Sequence, residues 1–316
     1  MFAKLKGFMY LKDFISDSVR RLQPLYPVEE AKAIVLELCQ EILGTERYTH
    51  VIYPGTVVEE GLVPVLDKAV ERLSSGEPLQ YVIGYTEFSG FRFRVTSDVL
   101  IPRPETEEMC REAVAVARGM VESRERLCRG CASLKEMSHL KILDLCTGSG
   151  CIAWTLALSV PGAEVVGVDI SEKALDVASS QELGLVAEEL GARVPRFVRY
   201  DVLDGPDGFE PGEFDIILSN PPYVMESEKS LMRSNVLDHE PELALFVPDS
   251  DPLKFFRAVA DFAKKRLRSG GFGMVEINEA LEGPTATIFS SSGFSEISVQ
   301  KDFRDKFRFV SFKKQA

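Results

Sequence analysis

The 316-residue sequence has few cysteines, no long apolar run and too few basic residues to balance its acidic ones. Six cysteines without the spacing of a disulfide scaffold argue against a small secreted domain held by disulfides. No stretch approaches the roughly 20 apolar residues that a membrane-spanning helix needs. The first apolar run is too short for a signal peptide because Lys12 and Asp13 end it. We therefore expect a cytoplasmic protein without membrane contact.

The excess of acidic residues limits the partners that the chain can bind. Its 37 basic and 49 acidic side chains give a formal net charge of −12. Nucleic-acid binders need clustered Lys and Arg to contact phosphates, so no direct nucleic-acid contact is expected, although composition does not exclude a local basic patch. A hydrophobic fraction of 45% excludes a disordered chain, and the length fits about two domains.

Residues 1–84 are predicted to form a small all-α domain. Apolar residues recur at a helical spacing, as at Ala31, Val35 and Leu38, and Gly44 follows as a stop signal. Shorter apolar stripes occur over residues 11–19 and 63–73. We interpret the stripes as a helical core; the alternative is a face that docks a partner.

Residues 85–104 change to a period of two, which predicts a β-hairpin that links two domains. Phe91, Phe93 and Val95 alternate with polar residues, and Ser89-Gly90 supplies a turn.

A helix over about residues 105–117 is predicted next, followed over 118–140 by a helix end and a surface loop. The loop contains Cys128 and Cys131 as a lone C-x-x-C, and His139 is the only histidine near them. A structural zinc site needs a second pair of ligands, so we interpret the two cysteines as incidental and predict no metal site.

From residue 141 onward strands and helices alternate, which predicts an α/β domain over 105–316 with a doubly wound, mostly parallel sheet. The predicted strands cover residues 141–146, 164–169, 196–200, 214–219, 273–277, 294–299 and 307–312. The predicted helices cover residues 152–158, 172–190, 252–268 and 281–291.

A glycine-rich turn joins the first of these strands to the next helix. Its sequence, DLCTGSG over residues 144–150, lets the backbone approach a ligand closely. Asp169 ends the second strand, 19 residues after Gly150, where a carboxylate can accept hydrogen bonds from ribose hydroxyls. The turn therefore predicts a nucleoside site; the alternative is a plain strand-to-helix turn.

The turn also bears on which nucleoside cofactor is bound. It matches neither G-x-G-x-x-G nor a phosphate-binding loop with its lysine. Asp144 would repel a pyrophosphate but suits the cationic methionine end of S-adenosylmethionine. Asp201, after the third strand, is placed either to accept from an adenine amino group or to lie in a surface turn.

The segment Asn220-Pro221-Pro222-Tyr223 follows a buried strand, at the sheet edge where open α/β sheets bind ligands. The Asn220 side-chain oxygen and the Pro221 carbonyl can both accept from one NH₂ group, and Tyr223 offers a π face. Such a clamp orients a planar amide whose delocalised lone pair makes it a poor nucleophile. The alternative is a rigid proline turn.

Several motifs together resemble those of the protein-glutamine N5-methyltransferases that modify peptide chain release factors (the PrmC/HemK family). PLQYVIG over residues 78–84, FSG over 88–90 and VLIPRPETE over 99–107 resemble the family's linker signature. DLCTGSG over 144–150, Asp169 and SNPPYV over 219–224 resemble its catalytic motifs, and EPELAL over 240–245 resembles a further family segment. The match covers nearly the whole chain.

The resemblance implies a Rossmann-like class I methyltransferase sheet, with S-adenosylmethionine as methyl donor and S-adenosylhomocysteine as product. It implies that Asn220, Pro221, Pro222 and Tyr223 hold the glutamine of the release factor's Gly-Gly-Gln loop, with Asn220, Pro221 and Tyr223 acting in catalysis. A monomer is expected, whose helical domain and hairpin help to hold the release factor. The implied cofactor-binding residues are Cys146, Thr147, Gly148, Ser149, Gly150, Asp169, Asp201, Val202 and Asn220.

One departure from the family and three rival functions remain. Cys146 stands where many relatives have glycine, and it is strained if the position needs a positive φ. The rivals are a glutamine methyltransferase of ribosomal proteins, a DNA adenine methyltransferase and a non-catalytic protein that binds release factors. The acidic charge argues against the DNA enzyme, because base flipping needs a surface that grips DNA.

Overall fold

The computed structural model describes residues 8–127 and 139–315, so the Cys128 and Cys131 pair lies outside the described residues. The chain forms two compact units. The smaller unit comprises residues up to Tyr85 together with Met232–His239, and the larger unit comprises Thr86–Leu231 with Glu240–Ala316. Within the described ranges, no helix is long and apolar enough to cross a membrane.

The smaller unit is helical, as predicted. Ala31, Val35 and Leu38 are fully buried in its core, which confirms the predicted stripe. Gly44 ends the second helix with a φ of 64°, a conformation that glycine adopts at little cost. Two short antiparallel strands, β1 (Met9–Tyr10) and β2 (Val57–Val58), were not predicted. The helices are α1 (Leu11–Leu22), α2 (Val28–Leu43), α3 (Thr49–Ile52), α4 (Val63–Ser74), α5 (Leu79–Ile83) and α10 (Ser234–Leu237).

The predicted hairpin consists of β3 (Tyr85–Phe88) and β4 (Phe91–Arg94). Its turn residues Ser89 and Gly90 both have positive φ angles, of 51° and 81°. Phe88 and Phe93 are buried and pack edge to face, with ring centroids 5.9 Å apart. The two rings belong to the core of the larger unit, so from Thr86 onward the hairpin is part of that unit.

A seven-stranded sheet forms the centre of the larger unit, in the order β12-β13-β11-β8-β5-β6-β7. Five neighbouring strands run parallel, and β13 is antiparallel to both of its neighbours. The strands are β5 (Lys141–Leu145), β6 (Glu164–Asp169), β7 (Arg196–Arg199), β8 (Phe214–Ser219), β11 (Leu267–Glu276), β12 (Phe294–Lys301) and β13 (Phe307–Lys314). This order confirms the predicted class I methyltransferase sheet.

Helices pack on both faces of the sheet, and β9 (Val224–Met225) pairs with β10 (Phe246–Val247) outside it. Because β5, β6 and β8 are parallel neighbours, their carboxyl ends meet at one edge. The helices are α6 (Pro104–Leu127), α7 (Cys151–Ser159), α8 (Glu172–Ser179), α9 (Gly184–Leu190), α11 (Glu242–Leu245), α12 (Lys254–Arg266) and α13 (Glu282–Ser291).

The helix predicted over 105–117 was too short, because α6 continues to Leu127. Met120 and Val121 extend its apolar stripe against the core. One turn further, Arg124 forms an ion pair with the buried carboxylate of Asp215 at the start of β8. The helix end predicted after residue 117 therefore extends as far as Leu127, because one face of this polar segment packs on the core.

The helix predicted over 172–190 was also wrong, because α8 and α9 are separated by residues 180–183. Gln181 is buried in the break and accepts a hydrogen bond from the Arg94 backbone N–H at 2.8 Å. Its side-chain NH₂ donates to the carbonyl oxygens of Arg94 and Ser149, both at 3.0 Å. The broken helix therefore satisfies backbone groups of the hairpin and of the glycine-rich turn.

The strands β11 and β13 pack so closely at Gly273 that one added methyl group there is predicted to destabilise the protein. A Cβ at Gly273 would lie 2.2 Å from the ring of Phe312, which is itself stacked on Phe289 at 4.1 Å. We expect Gly273→Ala to lower the free energy of unfolding by about 1–3 kcal/mol through overpacking. The matched control is Gly283→Ala in α13, where a Cβ meets no atom of the structure within 4 Å. Urea denaturation of both variants checks this, and equal midpoints would contradict it.

Candidate functional site

A cavity of about 130 Å³ opens at the carboxyl ends of β5, β6 and β8. Gly150, Pro221 and Tyr223, although described, do not line it. Most of the predicted cofactor set does line it, together with residues from the hairpin side and from α11 and α12. The lining members of the predicted set are Cys146, Thr147, Gly148, Ser149, Asp169, Asp201, Val202 and Asn220; Pro222 lines the cavity too.

The glycine-rich turn is tight because three of its residues have positive φ angles. Cys146, Gly148 and Gly150 have φ values of 61°, 54° and 79°. A Cβ at Gly150 would lie 3.0 Å from Ala178 Cβ and from the Phe197 ring, so Gly150 lets α7 pack closely. A Cβ at Gly148 would meet no atom of the structure within 4 Å, so the turn leaves room for a ligand there.

Asp169 connects the end of β6 to the glycine-rich turn. One carboxylate oxygen accepts from Gly148 N–H and the other accepts from Ser171 N–H, both at 2.9 Å. Burial raises the pKa of this carboxyl, and the backbone N–H groups oppose the rise. Each oxygen can accept more than one hydrogen bond, so the carboxylate can still accept from ribose hydroxyls in the cavity.

Asp144 does not line the cavity, although the sequence suggested that it faces the cofactor. It is fully buried, and one of its oxygens accepts from the Thr147 hydroxyl. Its other oxygen, Oδ1, has no hydrogen-bond partner among the described residues. Burial raises the pKa of Asp144 to about 7. Asp144 therefore lies beneath the turn, where it holds Thr147, and does not form part of the cavity wall.

Asp201 caps a single 3₁₀ turn and also lines the cavity beside Val202. Its Oδ1 accepts from Leu203 N–H at 2.8 Å. Both roles that the sequence allowed for Asp201, a turn cap and a group that faces a ligand, are compatible with this position.

The Asn-Pro-Pro-Tyr segment leaves the sheet where β8 ends. The Ser219 hydroxyl donates to the Leu145 carbonyl at 2.8 Å, which joins the ends of β8 and β5. Asn220 lines the cavity, and its Nδ2 donates to Thr106 Oγ1 at 3.3 Å. The Tyr223 hydroxyl donates to Glu276 Oε1 at 2.8 Å. Burial raises the pKa of Tyr223 well above its usual value.

The sequence analysis missed Thr106 and Glu276 as site residues. Glu276 is buried at the end of β11, and its Oε2 accepts from the Thr106 hydroxyl at 2.7 Å. The rule that singled out Asp169, a polar residue where a buried strand ends, would also have found Glu276. No local signal marks the bond, because Thr106 lies 170 residues away along the chain.

At most positions a glycine variant is less stable than an alanine variant, but the positive φ of Cys146 predicts the opposite order there. A residue with a Cβ is strained in the left-handed region and glycine is not, so we expect Cys146→Gly to be more stable than Cys146→Ala by about 1 kcal/mol. Both variants lose the thiol, so their difference isolates the backbone effect. Urea denaturation measures it, and an alanine variant as stable as the glycine variant would show that the turn relaxes.

The buried carboxyl of Asp144 predicts a pH dependence of stability. Its pKa is about 7 in the folded chain and about 4 in an unfolded one, so it binds its proton more tightly when folded. A raised carboxyl pKa makes stability fall as pH rises between those values. Relative to wild type, Asp144→Asn should therefore gain about 1.4 kcal/mol per pH unit from about pH 4 to 7. The check is the free energy of unfolding of both proteins as a function of pH. Parallel curves would show that the pKa of Asp144 is not raised in the folded chain.

Comparisons with known proteins show the family of the chain. A family model described as a methyltransferase domain matches residues 136–280, and one described as the PrmC N-terminal domain matches residues 14–84. A release factor glutamine methyltransferase of Bacteroides thetaiotaomicron is 39% identical over 92% of this chain and 95% of its own length. One of Flavobacterium psychrophilum is 32% identical over 96% of this chain and 98% of its own.

One solved structure of a similar enzyme is also a release factor methyltransferase. The release factor-specific protein-(glutamine-N5) methyltransferase of Alicyclobacillus acidocaldarius is 24% identical, covers 71% of this chain and all of its own, and superposes with a TM-score of 0.39. The family assignment depends on the sequence relatives, which are similar over nearly the whole chain. The chain therefore belongs to the release factor glutamine methyltransferases, a family of S-adenosylmethionine-dependent enzymes.

Proposed function

We propose that the chain methylates the side-chain amide nitrogen, N5, of the glutamine in the Gly-Gly-Gln motif of peptide chain release factors. The observation that carries the proposal is the position of Asn220. It lines the cavity at the end of β8, and its amide nitrogen is engaged by Thr106, so its oxygen is left for a substrate amide. The names of the closely similar relatives support the same substrate.

The residues around the cavity fit S-adenosylmethionine. The open space beside Gly148 accepts a ligand against the turn, and the Asp169 carboxylate has acceptor capacity for a ribose. Asp201 and Val202 lie where an adenine would be held, and Cys146, Thr147 and Ser149 complete the wall. Gly150 contributes indirectly, by letting α7 pack. The bound cofactor supplies a methyl group on a positively charged sulfur, and S-adenosylhomocysteine is the product.

Asn220 and Pro221 would hold the substrate amide with two acceptors. The Asn220 side-chain oxygen and the Pro221 carbonyl each accept one hydrogen of the NH₂ group. Pro221 and Pro222 have no backbone N–H, so the segment offers no backbone donor that would compete at these positions. An amide held by both hydrogens presents its nitrogen in one orientation, and orientation of this kind lowers a barrier by several kcal/mol. Its proton can leave after transfer, so no general base is needed beforehand.

Tyr223 would act from beside the clamp. Its hydroxyl is tied to Glu276, which fixes the ring after the two prolines. The ring face, and not the hydroxyl, would then pack against the substrate amide or the sulfonium.

The remaining parts of the proposal concern the partner. The helical region 1–84 and the hairpin over 85–104 would recognise the release factor, and 105–316 would carry the chemistry. The net charge of −12 favours a partner with a basic surface over nucleic acid. We propose a cytoplasmic monomer that contacts the release factor protein alone.

The central test is methyl transfer by wild type and by Asn220→Ala. Purified protein and labelled S-adenosylmethionine are mixed with an unmodified release factor, its Gly-Gly-Gln→Gly-Gly-Ala variant, a ribosomal-protein fraction or DNA, and mass spectrometry locates the label. We expect one methyl group on that glutamine and none elsewhere. Asn220→Ala should lower turnover by at least about 100-fold, while calorimetry still detects cofactor binding.

Each other outcome contradicts a defined part of the proposal. Label on a ribosomal protein or on DNA would show that the substrate is that molecule and not the release factor. Cofactor binding without any transfer would favour a non-catalytic protein that binds release factors. Retained turnover in Asn220→Ala would exclude the amide clamp.

A further inference from the structure

A buried chain of hydrogen bonds connects four side chains at the carboxyl edge of the sheet. Glu276, at the end of β11, accepts from the Thr106 hydroxyl at 2.7 Å and from the Tyr223 hydroxyl at 2.8 Å. Thr106, in the first turn of α6, in turn accepts from Asn220 Nδ2 at 3.3 Å. Glu276 and Thr106 are only 1% and 2% exposed, so water does not substitute for these partners.

The chemistry of these groups gives the chain one direction. An ionised carboxylate has no hydrogen to donate, so both hydroxyls must direct their protons at Glu276. Thr106 has one proton and has given it to Glu276, so its oxygen can act towards Asn220 only as an acceptor. The Asn220 amide must therefore turn its NH₂ group to Thr106. In the flipped orientation, the Asn220 oxygen would face the lone pairs of another oxygen.

We infer that Thr106 and Glu276 are positioning residues, which keep the Asn220 amide in the one orientation that presents its oxygen to the substrate amide. This inference rests on the proposed function. A substrate NH₂ group can be gripped only by acceptors, and an asparagine amide has a donor end and an acceptor end of nearly equal size. A flipped Asn220 would fill the same space but present donors to donors.

The groups around Glu276 act on its charge in both directions. Burial raises the pKa of its carboxyl and so does the charge of Glu105, whereas the bonds from Thr106 and Tyr223 and the charge of Arg308 stabilise the carboxylate. Arg308 is held in turn by the buried carboxylate of Asp302, at 3.1 Å. Both carboxylate oxygens thus have donors, as a buried charge requires.

Two substitutions interrupt the chain without changing side-chain size. Thr106→Val removes the hydroxyl, and Glu276→Gln replaces one acceptor by an NH₂ group that can donate to Thr106 and release its proton towards Asn220. We expect each variant to lower kcat about 10- to 100-fold, with cofactor affinity close to wild type. The melting temperature of Thr106→Val should fall by a few degrees, because Glu276 loses a buried donor, so the loss of kcat is read below the unfolding transition of each variant. Thr106→Ser keeps the hydroxyl and should stay within about threefold of wild type.

The matched control is Thr285→Val in α13. Thr285 is fully buried, and its hydroxyl has no hydrogen-bond partner among the described residues. Its loss of kcat should be negligible, which would show that removing a buried threonine hydroxyl is not in itself harmful.

A double-mutant cycle separates positioning from a general structural role. Thr106 acts only through Asn220, so Thr106→Val should cause no further loss of single-turnover rate in an Asn220→Ala background. A structural defect would lower the rate in both backgrounds by the same factor. Wild-type kcat in Thr106→Val, or additive losses in the cycle, would overturn the inference.

A readout without substrate keeps this test distinct from that of the proposed function. In ¹⁵N-labelled wild type, the Asn220 side-chain NH₂ protons bonded to Thr106 should exchange with solvent more slowly than in Thr106→Val. An unmethylated release factor glutamine in the presence of wild type would overturn the proposed function. Equal exchange rates in wild type and Thr106→Val would overturn the positioning role, whatever the result of the methylation assay.

Discussion

Buried carboxylates at the carboxyl edge of the sheet demand hydrogen-bond donors, and this demand arranges the whole site. A carboxylate removed from water either gains donors or has its pKa raised. Glu276 accepts from two hydroxyls and the half-buried Asp169 from two backbone N–H groups, whereas Asp144 accepts from the Thr147 hydroxyl at one oxygen and has its pKa raised to about 7. Each carboxylate thereby fixes one loop: the glycine-rich turn, the end of β6, or the segment that carries Asn220.

The opposite end of the sheet uses the same principle for stability. Asp215, at the start of β8, receives Arg124 from α6, Arg268 from β11 and the backbone N–H of Lys141 at the start of β5. One buried carboxylate therefore joins three strands and a helix at the amino edge. At the carboxyl edge, Asp169 and Glu276 receive their hydrogen bonds from backbone N–H groups and hydroxyls and not from arginines.

The sequence predicted those features that follow from local pattern. Alternation of strands and helices predicted the sheet, and strand ends located Asp169 and Asn220, because parallel strands bring their carboxyl ends together. It did not predict the length of α6 or the break at Gln181. Both depend on partners far away in the chain, Asp215 for Arg124 and the Ser149 carbonyl for Gln181. The hydrogen bond between Thr106 and Glu276 was not predicted either, because its two partners are also far apart in the chain.

The charge of the cavity bears on which cofactor it accepts. The sequence analysis argued from Asp144, which lies beneath the turn and does not line the cavity. Among the lining residues, the charge of Arg103 is balanced by Glu240 at 2.7 Å and that of Asp98 by Lys173 at 3.1 Å.

Asp169 and Asp201 therefore set the charge of the cavity. In the described part of the chain, both are held by backbone N–H groups, which leave their negative charge in place. A cavity with two such carboxylates disfavours a pyrophosphate and favours a positively charged sulfur. The argument for S-adenosylmethionine thus also rests on the two carboxylates that line the cavity.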